Sequence, residues 1–368
     1  MKASLDKLTI TGFKSIRELK NFELKNLNVF VGANGAGKSN LISFFRMLNA
    51  LVDGNLEDYI RESGGVSDLL YNGRKATDKM EFETRFGIRG YRFTIAPGPG
   101  TKFSLEDEAR YYKPGTTGWW NLGTSGDNRS LLVKEATGTS QDSQYSKLVY
   151  EAIRSWRIYH FHDTSATAPM RHEEIIQDKK TLRSDAANIA PFLLNLREES
   201  PGCYREIVDA CRIVMPYLDD FLLDTEKLGP KTTVSLSWKA KGSDYPMQPY
   251  HLSDGSIRFI CLATALLQPD PPSTLIIDEP ELGLHPEAIS ILAELIQDAA
   301  QRTQLIVATQ SPSLLNEFSI EDIVVVNRKD GQSTFERLNR DDYTSWLESY
   351  SVGELWTKNV IQGGTNHE

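Results

Sequence analysis

Apolar residues along this chain change period several times, and each change marks an element. Residues 5 to 13 alternate as a first strand that runs into Gly12-Phe13-Lys14-Ser15, and Phe22 to Val31 reads as a strand pair ending in the apolar run Leu27, Val29, Phe30 and Val31. Leu41, Phe44, Phe45, Leu48 and Leu51 then recur at helical spacing, which predicts a helix from Ser39 to about Leu51. A polar, glycine-containing connection follows to Arg74. Beyond it Phe82, Thr84, Phe86 and Ile88 alternate with Glu81, Glu83, Arg85 and Arg89, and Tyr91, Phe93 and Ile95 alternate again after Gly90. That period of two predicts an antiparallel meander with one wet face.

From Pro97 to Asn128 glycine, proline and serine thicken around Trp119 and Trp120, which reads as a long surface excursion. The two rings either form a partner site or fold back onto the sheet, and folding back is the commoner fate of such rings. Ser146 to Trp156 has helical spacing, and Arg157 to Phe161 resembles a strand. Helical spacing returns at Ile189, Leu193 and Leu196, then at Tyr204, Ile207, Val208 and Cys211, with Pro201 in a first-turn position and Pro216 as a stop. Val234, Leu236 and Trp238 alternate as one more strand. The pattern divides the chain into a first lobe (1–165), a helical insertion (166–227) and a second lobe (228–368), with no internal repeat.

Composition narrows the class. At 368 residues the chain can bury a large core without staples. Cys203, Cys211 and Cys261 lie in apolar helical patterns without a C-x-x-C pair, so they read as buried thiols of a reducing compartment. Met1 to Ile10 lacks the apolar core of a signal peptide, and Phe259 to Leu267 is far short of the roughly 20 residues of a membrane span, so a cytoplasmic protein is expected. The net charge of −9 argues against a surface that binds nucleic acid everywhere, although a local basic groove is compatible with it.

Chemistry concentrates in two places. Gly32-Ala33-Asn34-Gly35-Ala36-Gly37-Lys38-Ser39 fits G-x-x-x-x-G-K-[ST] between a buried strand and a helix. Its glycines let backbone N–H groups curl round a phosphate, Lys38 reaches the β and γ phosphates, and the Ser39 hydroxyl suits Mg²⁺. Gly32, Asn34, Gly35, Ala36, Gly37, Lys38, Ser39 and Asn40 are therefore the candidate nucleotide-binding residues. The second place begins at Leu275-Ile276-Ile277-Asp278-Glu279-Pro280, an apolar strand ending in two acids. A parallel strand beside the phosphate-loop strand would bring Asp278 to the Mg²⁺ on Ser39 and Glu279 to the water that attacks the γ phosphate. Leu305-Ile306-Val307-Ala308-Thr309-Gln310-Ser311-Pro312 is another buried strand with a polar end, and the Gln310 amide can donate to a γ phosphate but cannot shuttle a proton.

Leu252-Ser253-Asp254-Gly255-Ser256, followed by Arg258 and an apolar helix, resembles the signature segment of ABC-type ATPases, L-S-G-G-Q, with Asp254 in place of the commoner glycine. Glu281-Leu282-Gly283-Leu284-His285-Pro286 resembles the D-loop of the SMC, RecF and overcoming-lysogenization-defect group, where His285 either reaches across a dimer interface or packs under the loop. With Thr9 to Ser15 at the start, the Thr-Gln-Ser-Pro switch, and Tyr350 to Trp356 at the end, the chain resembles a compact ATPase of the SMC and RecF-like class, often discussed alongside bacterial genome defence. The resemblance implies an α/β P-loop NTPase of the ABC-ATPase head type, with a mixed central sheet, an antiparallel meander and an inserted helical arm. It also implies ATP and Mg²⁺ as ligands, with Glu279, Gln310 and Lys38 catalytic and Asp278 with Ser39 on the metal. In that architecture a chain cannot fold its signature onto its own loop, so Ser253, Asp254 and Gly255 act in trans in a head-to-tail homodimer.

No topoisomerase-primase nuclease segment follows and no long heptad tract interrupts, so the expected effector is a separate protein, a nuclease or toxin. The leading function is an ATP-hydrolysing dimeric switch acting on a nucleic acid or that effector. The alternatives are a weakly hydrolytic, nucleotide-gated scaffold, a RecF-like repair clamp, and a transporter subunit that the meander disfavours. The family's Q-loop glutamine has three candidates, Gln141, Gln144 and Gln177. His160 and His162 share a strand face with only Asp163 nearby, a poor metal set. Lys179, Lys180 and Arg183 are either solvated or touch phosphate.

Overall fold

The computed structural model describes residues 3–99, 102–112, 118–126, 128–140 and 142–361. Its functional half is a six-stranded sheet in the order Gln332–Arg337, Ile323–Lys329, Leu27–Val31, Gln304–Thr309, Thr274–Asp278, Arg157–Tyr159, parallel throughout except at the first edge. The apolar runs read from the sequence are the inner strands, covered on both faces as parallel sheets require. Alternation along them splits the core in two. Phe30, Ile276, Ile306 and Ala308 pack on the side of the loop helix Lys38–Asp53, whereas Val29, Val31, Ile277, Leu305 and Val307 pack on the side of the signature helix Asp254–Leu267. Those two helices therefore lie on opposite faces of one sheet.

One expectation about strand order is corrected. The acid-ended strand is not beside the phosphate-loop strand, because Gln304–Thr309 runs between them. All three are apolar runs buried on both sides, so nothing in their composition distinguishes neighbour from next neighbour. The strand Ile323–Lys329, which borders Leu27–Val31 on its other side, was not anticipated.

The second six-stranded sheet is antiparallel, in the order Ile16–Glu23, Lys7–Phe13, Met80–Phe86, Arg89–Pro97, Phe103–Tyr112, Trp119–Gly123. The meander is as expected, except that Ile88 is half exposed between its strands. Much of the supposed excursion after Pro97 is two further strands. A bulge explains why they were hidden: Arg92 pairs with Ala109 but Thr94 with Glu106, and Asp107 takes φ 50°, which breaks the period of two. Trp119 does fold back, against Tyr111 at 5.3 Å and under the guanidinium groups of Arg85 at 4.4 Å and Arg92 at 4.6 Å. Trp120 stays half exposed.

The loop helix is fastened to this sheet by aromatic contacts, directly by Phe44 stacked on Phe82 at 5.7 Å, and through Trp156, which meets Phe45 edge-on at 5.2 Å and stacks on Phe86 at 6.2 Å. Truncating either phenylalanine to alanine would cost roughly 3–5 kcal/mol, because no neighbour can fill the space. Helices Ile189–Glu199 and Pro201–Val214 form as expected, the second opened by Pro201 and finished before Pro216. Short strands, Glu174–Ile175 before these helices and the others after them, form two three-stranded sheets, and the single strand expected through Val234, Leu236 and Trp238 is broken into Lys231–Val234 and Ser237–Ala240. No helix among the described residues is long and apolar enough to cross a membrane.

Candidate nucleotide site

The C-terminal ends of the parallel strands deliver Gly32, Gln310, Asp278 and His160 to one edge of the sheet, where open α/β sheets bind ligands. The loop is held from three directions. Ser333, on the edge strand Gln332–Arg337, donates to the Ala36 carbonyl at 2.5 Å and pairs with the Ser15 hydroxyl at 2.6 Å, while Asn40 Nδ2 donates to Ser15 at 2.6 Å. Gly37 sits at φ 122°, and a Cβ there would lie 2.1 Å from Ser333 Oγ. Any side chain would push the loop off its support. Ser333 carries no motif, so it could not be found from sequence.

Lys38 is the charge at the centre of the loop. Its buried ammonium donates to the carbonyls of Gly32 at 2.5 Å and Ala33 at 3.3 Å. Burial pushes its pKa down, opposed by the charges of Glu279, Asp278 and Glu281. A buried cation held only by carbonyls, at the start of a helix and facing acids, fits a polyphosphate with a divalent cation. Asn34, Gly35 and Ser39 are exposed around it.

Glu279 follows its strand at φ 46°, a conformation that costs a non-glycine residue about 1–3 kcal/mol and marks functional sites. Its N–H donates to the Ala308 carbonyl at 2.8 Å, and its Oε1 accepts from Gln310 Nε2 at 2.6 Å. Burial raises the pKa of Asp278, opposed by His162. Glu281, for which the sequence indicates no role, is held by its Oε1, which accepts from Thr309 Oγ1 at 2.5 Å and from the Gln310 N–H at 3.4 Å. Its other oxygen is buried without a partner among the described residues, and burial pushes the carboxyl up. Glu281 thus ties the D-loop to the residue that holds Glu279.

Histidines follow the strand beside Asp278. Tyr159 pairs with Ile277, so His160 comes level with Asp278, its Nδ1 3.9 Å from Oδ2. His162 Nε2 lies 3.0 Å from the Asp278 carbonyl oxygen, and the two rings are 3.9 Å apart. Burial pushes the His160 pKa down to about 4, aided by His162 and Arg46 and opposed by Glu279, so its ring is neutral near neutral pH. Of the glutamine candidates, Gln144 and Gln177 are exposed elsewhere and Gln141 lies outside the described residues.

Ser253 caps the signature helix, accepting from the Ser256 N–H at 3.1 Å. Arg171 accounts for Asp254: the pair lies at 2.9 Å, and the same guanidinium donates to the carbonyls of Pro249 and Leu252. A Cβ on Gly255 would lie 2.6 Å from the Gly283 carbonyl oxygen, so the signature packs directly on the D-loop. Arg258, buried with its pKa lowered by that burial, donates to the carbonyls of Phe161 at 2.8 Å, His162 at 3.0 Å and Leu282. The signature helix is thereby joined to the histidine segment and the D-loop of its own chain, but it is on the far face of the sheet from Lys38.

His285 is exposed rather than packed under its loop. Lys179 pairs with Glu198 at 3.6 Å and Arg183 with Asp178 at 2.6 Å, so those charges are matched. All three cysteines are free thiols, and burial pushes Cys203 up to about 11.

A family model described as "AAA domain, putative AbiEii toxin, Type IV TA system" matches residues 27–316, more than half of the chain. The chain belongs to this AAA-domain family. Its matched span runs from the strand that feeds the phosphate loop to beyond the Thr-Gln-Ser-Pro switch. No curated protein matches the chain.

Among solved structures, the family member is similar to an Smc head bound to the C-winged helix domain of ScpA, with TM-score 0.61 and 17% identity over 93% of this chain and 99% of that one. It is also similar to an Smc head domain with an extended coiled coil bound to the C-terminal domain of ScpA from Pyrococcus furiosus, with TM-score 0.55 and 16% identity over 94% and 98%. At such identities the likeness is one of fold. This is an α/β P-loop NTPase with the architecture of an SMC head.

Proposed function

We propose that the chain is an ATP-binding and ATP-hydrolysing switch that works as a head-to-tail homodimer and couples head closure to a separate effector protein. One observation carries the reading: Lys38, Asp278, Glu279 and Gln310 gather at one edge of the sheet, while the capped helix start at Ser253 lies on the opposite face. In a dimer, Ser253, Asp254 and Gly255 of one copy would close the loop of the other.

In this reading the backbone of Gly32 to Asn40 cradles the phosphates, Lys38 leaves its carbonyls for the β and γ phosphates, and Ser39 with Asp278 holds Mg²⁺. Bound Mg²⁺ would offset the charge of the phosphates. Glu279, held by Gln310, orients and deprotonates the attacking water. Arg258 carries the state of the nucleotide edge to the signature that serves the other copy.

The effector in this reading is a nuclease or toxin acting in anti-phage defence, and its support is the family's description, which mentions a toxin and a Type IV TA system. The ScpA domains on the similar Smc heads are a precedent for a separate protein partner. A second reading, a nucleotide-gated scaffold with slow turnover, is favoured by the Gln310 contact with Glu279, because an amide cannot relay the proton. The test is Glu279→Gln with ATP and Mg²⁺, followed by light scattering. The switch predicts a trapped dimer without turnover, and a mutant that stays monomeric with unchanged turnover would contradict it.

A further inference from the structure

We propose that His160 is a direct ligand of the divalent cation that accompanies the nucleotide, and that the site consequently takes a first-row transition dication such as Mn²⁺ ahead of Mg²⁺. The inference rests on the nucleotide reading above and adds the identity of a ligand and of the ion.

Position is the first support. His160 leaves a strand paired in register with the acid-ended strand, so its ring is presented to the same edge as the Asp278 carboxylate. Two ligands of one ion lie about 3 Å apart as neighbours and about 4.2 Å apart across it, given bond lengths of about 2.1 Å. The 3.9 Å between His160 Nδ1 and Asp278 Oδ2 falls within that span.

The second support is that the ring is aimed while, among the described residues, no hydrogen bond takes up its nitrogens. His162 stacks against it at 3.9 Å and is itself fixed within 3.0 Å of the Asp278 carbonyl oxygen, which sets the direction of His160 without occupying its nitrogens. The His160 side chain is about half exposed toward the edge where the loop opens.

Ion choice follows from ligand chemistry. Mg²⁺ favours oxygen and gives up its waters reluctantly, whereas imidazole suits the first-row transition ions. Among the described residues no three His, Cys, Asp or Glu side chains gather into a metal site by themselves. Phosphate oxygens and Ser39 must complete the set, so tight binding should require the nucleotide.

The test is pulsed electron paramagnetic resonance of Mn²⁺ bound to the full chain with a non-hydrolysable ATP analogue. Phosphorus coupling reports the nucleotide on the ion, and nitrogen coupling reports imidazole. The inference predicts both in the wild type and loss of the nitrogen coupling alone in His160→Ala and His160→Gln. Those variants should weaken Mn²⁺ about tenfold while changing Mg²⁺ less than about threefold. Phosphorus coupling without nitrogen coupling, or nitrogen coupling lost only in His162→Ala, overturns the assignment and leaves the nucleotide reading standing. Absence of both couplings overturns the two together.

Discussion

The side-chain amide of Gln310 donates to the carboxylate of Glu279 at 2.6 Å, so the residue in the switch position holds the acid it accompanies. It can hold that acid but not relay its proton, since an amide does not take a proton. Gln310→Ala should leave ATP affinity unchanged and lower kcat about tenfold to hundredfold, the cost of letting a base drift from its place. Steady-state kinetics beside equilibrium nucleotide binding separates the two, and a loss confined to affinity would assign Gln310 to binding.

Glu281 makes a pH prediction. Burial lifts its carboxyl above the ordinary 4.5, so the protonated form suits the fold better. Its contribution to stability is full below 4.5 and is lost as pH rises through the lifted value. Glu281→Gln keeps an acceptor for Thr309 and cannot ionise, so its melting temperature should overtake that of the wild type by a margin that widens as pH rises above 4.5. A margin independent of pH would show that the carboxyl is not charged at a cost.

Arg258 joins three carbonyls, a buried one on Phe161 and part-buried ones on His162 and Leu282, with one planar fork. Arg258→Lys cannot span them, and Arg258→Ala leaves the buried Phe161 carbonyl unpaired at about 1–3 kcal/mol, while water can reach the other two. Denaturant unfolding should show a loss of at least about 1 kcal/mol for the alanine variant. A loss within about 0.5 kcal/mol, typical of a plain surface change, would mean that water replaces the guanidinium.

These contacts mark the boundary of what the sequence discloses. Lys38 is legible because it closes an uninterrupted phosphate-loop motif, and Asp278, Glu279 and Gln310 because they stand at the ends of buried strands. Glu281, Ser333, Arg258 and His160 act through partners distant in sequence, and no spacing rule links Ser333 to Ala36 or Arg258 to Phe161. The two outer strands of the antiparallel sheet were lost for another reason, the bulge at Asp107, which shifts the period just where turn-forming residues are dense.

Asp254 faces outward, with its side chain 69% exposed beside Arg171, so that ion pair is worth only about 0–1 kcal/mol. An acid at a helix start also repels an incoming phosphate. Asp254→Gly should leave the melting temperature nearly unchanged and tighten ATP-dependent dimerisation, as followed by sedimentation. Weaker dimerisation would mean that the carboxylate contacts the other copy directly.

The most direct test of composite sites is complementation between two dead chains. Lys38→Ala and Ser253→Arg each disable one half of the site, and their heterodimer rebuilds one intact pair from Lys38 of one copy and Ser253 of the other. Mixing them should restore ATPase activity to about a quarter of the wild-type value, because half of a random mixture is heterodimer with one working site of two. If the mixture is as inactive as either variant alone, although both still bind one another, the two copies do not complete each other's nucleotide sites.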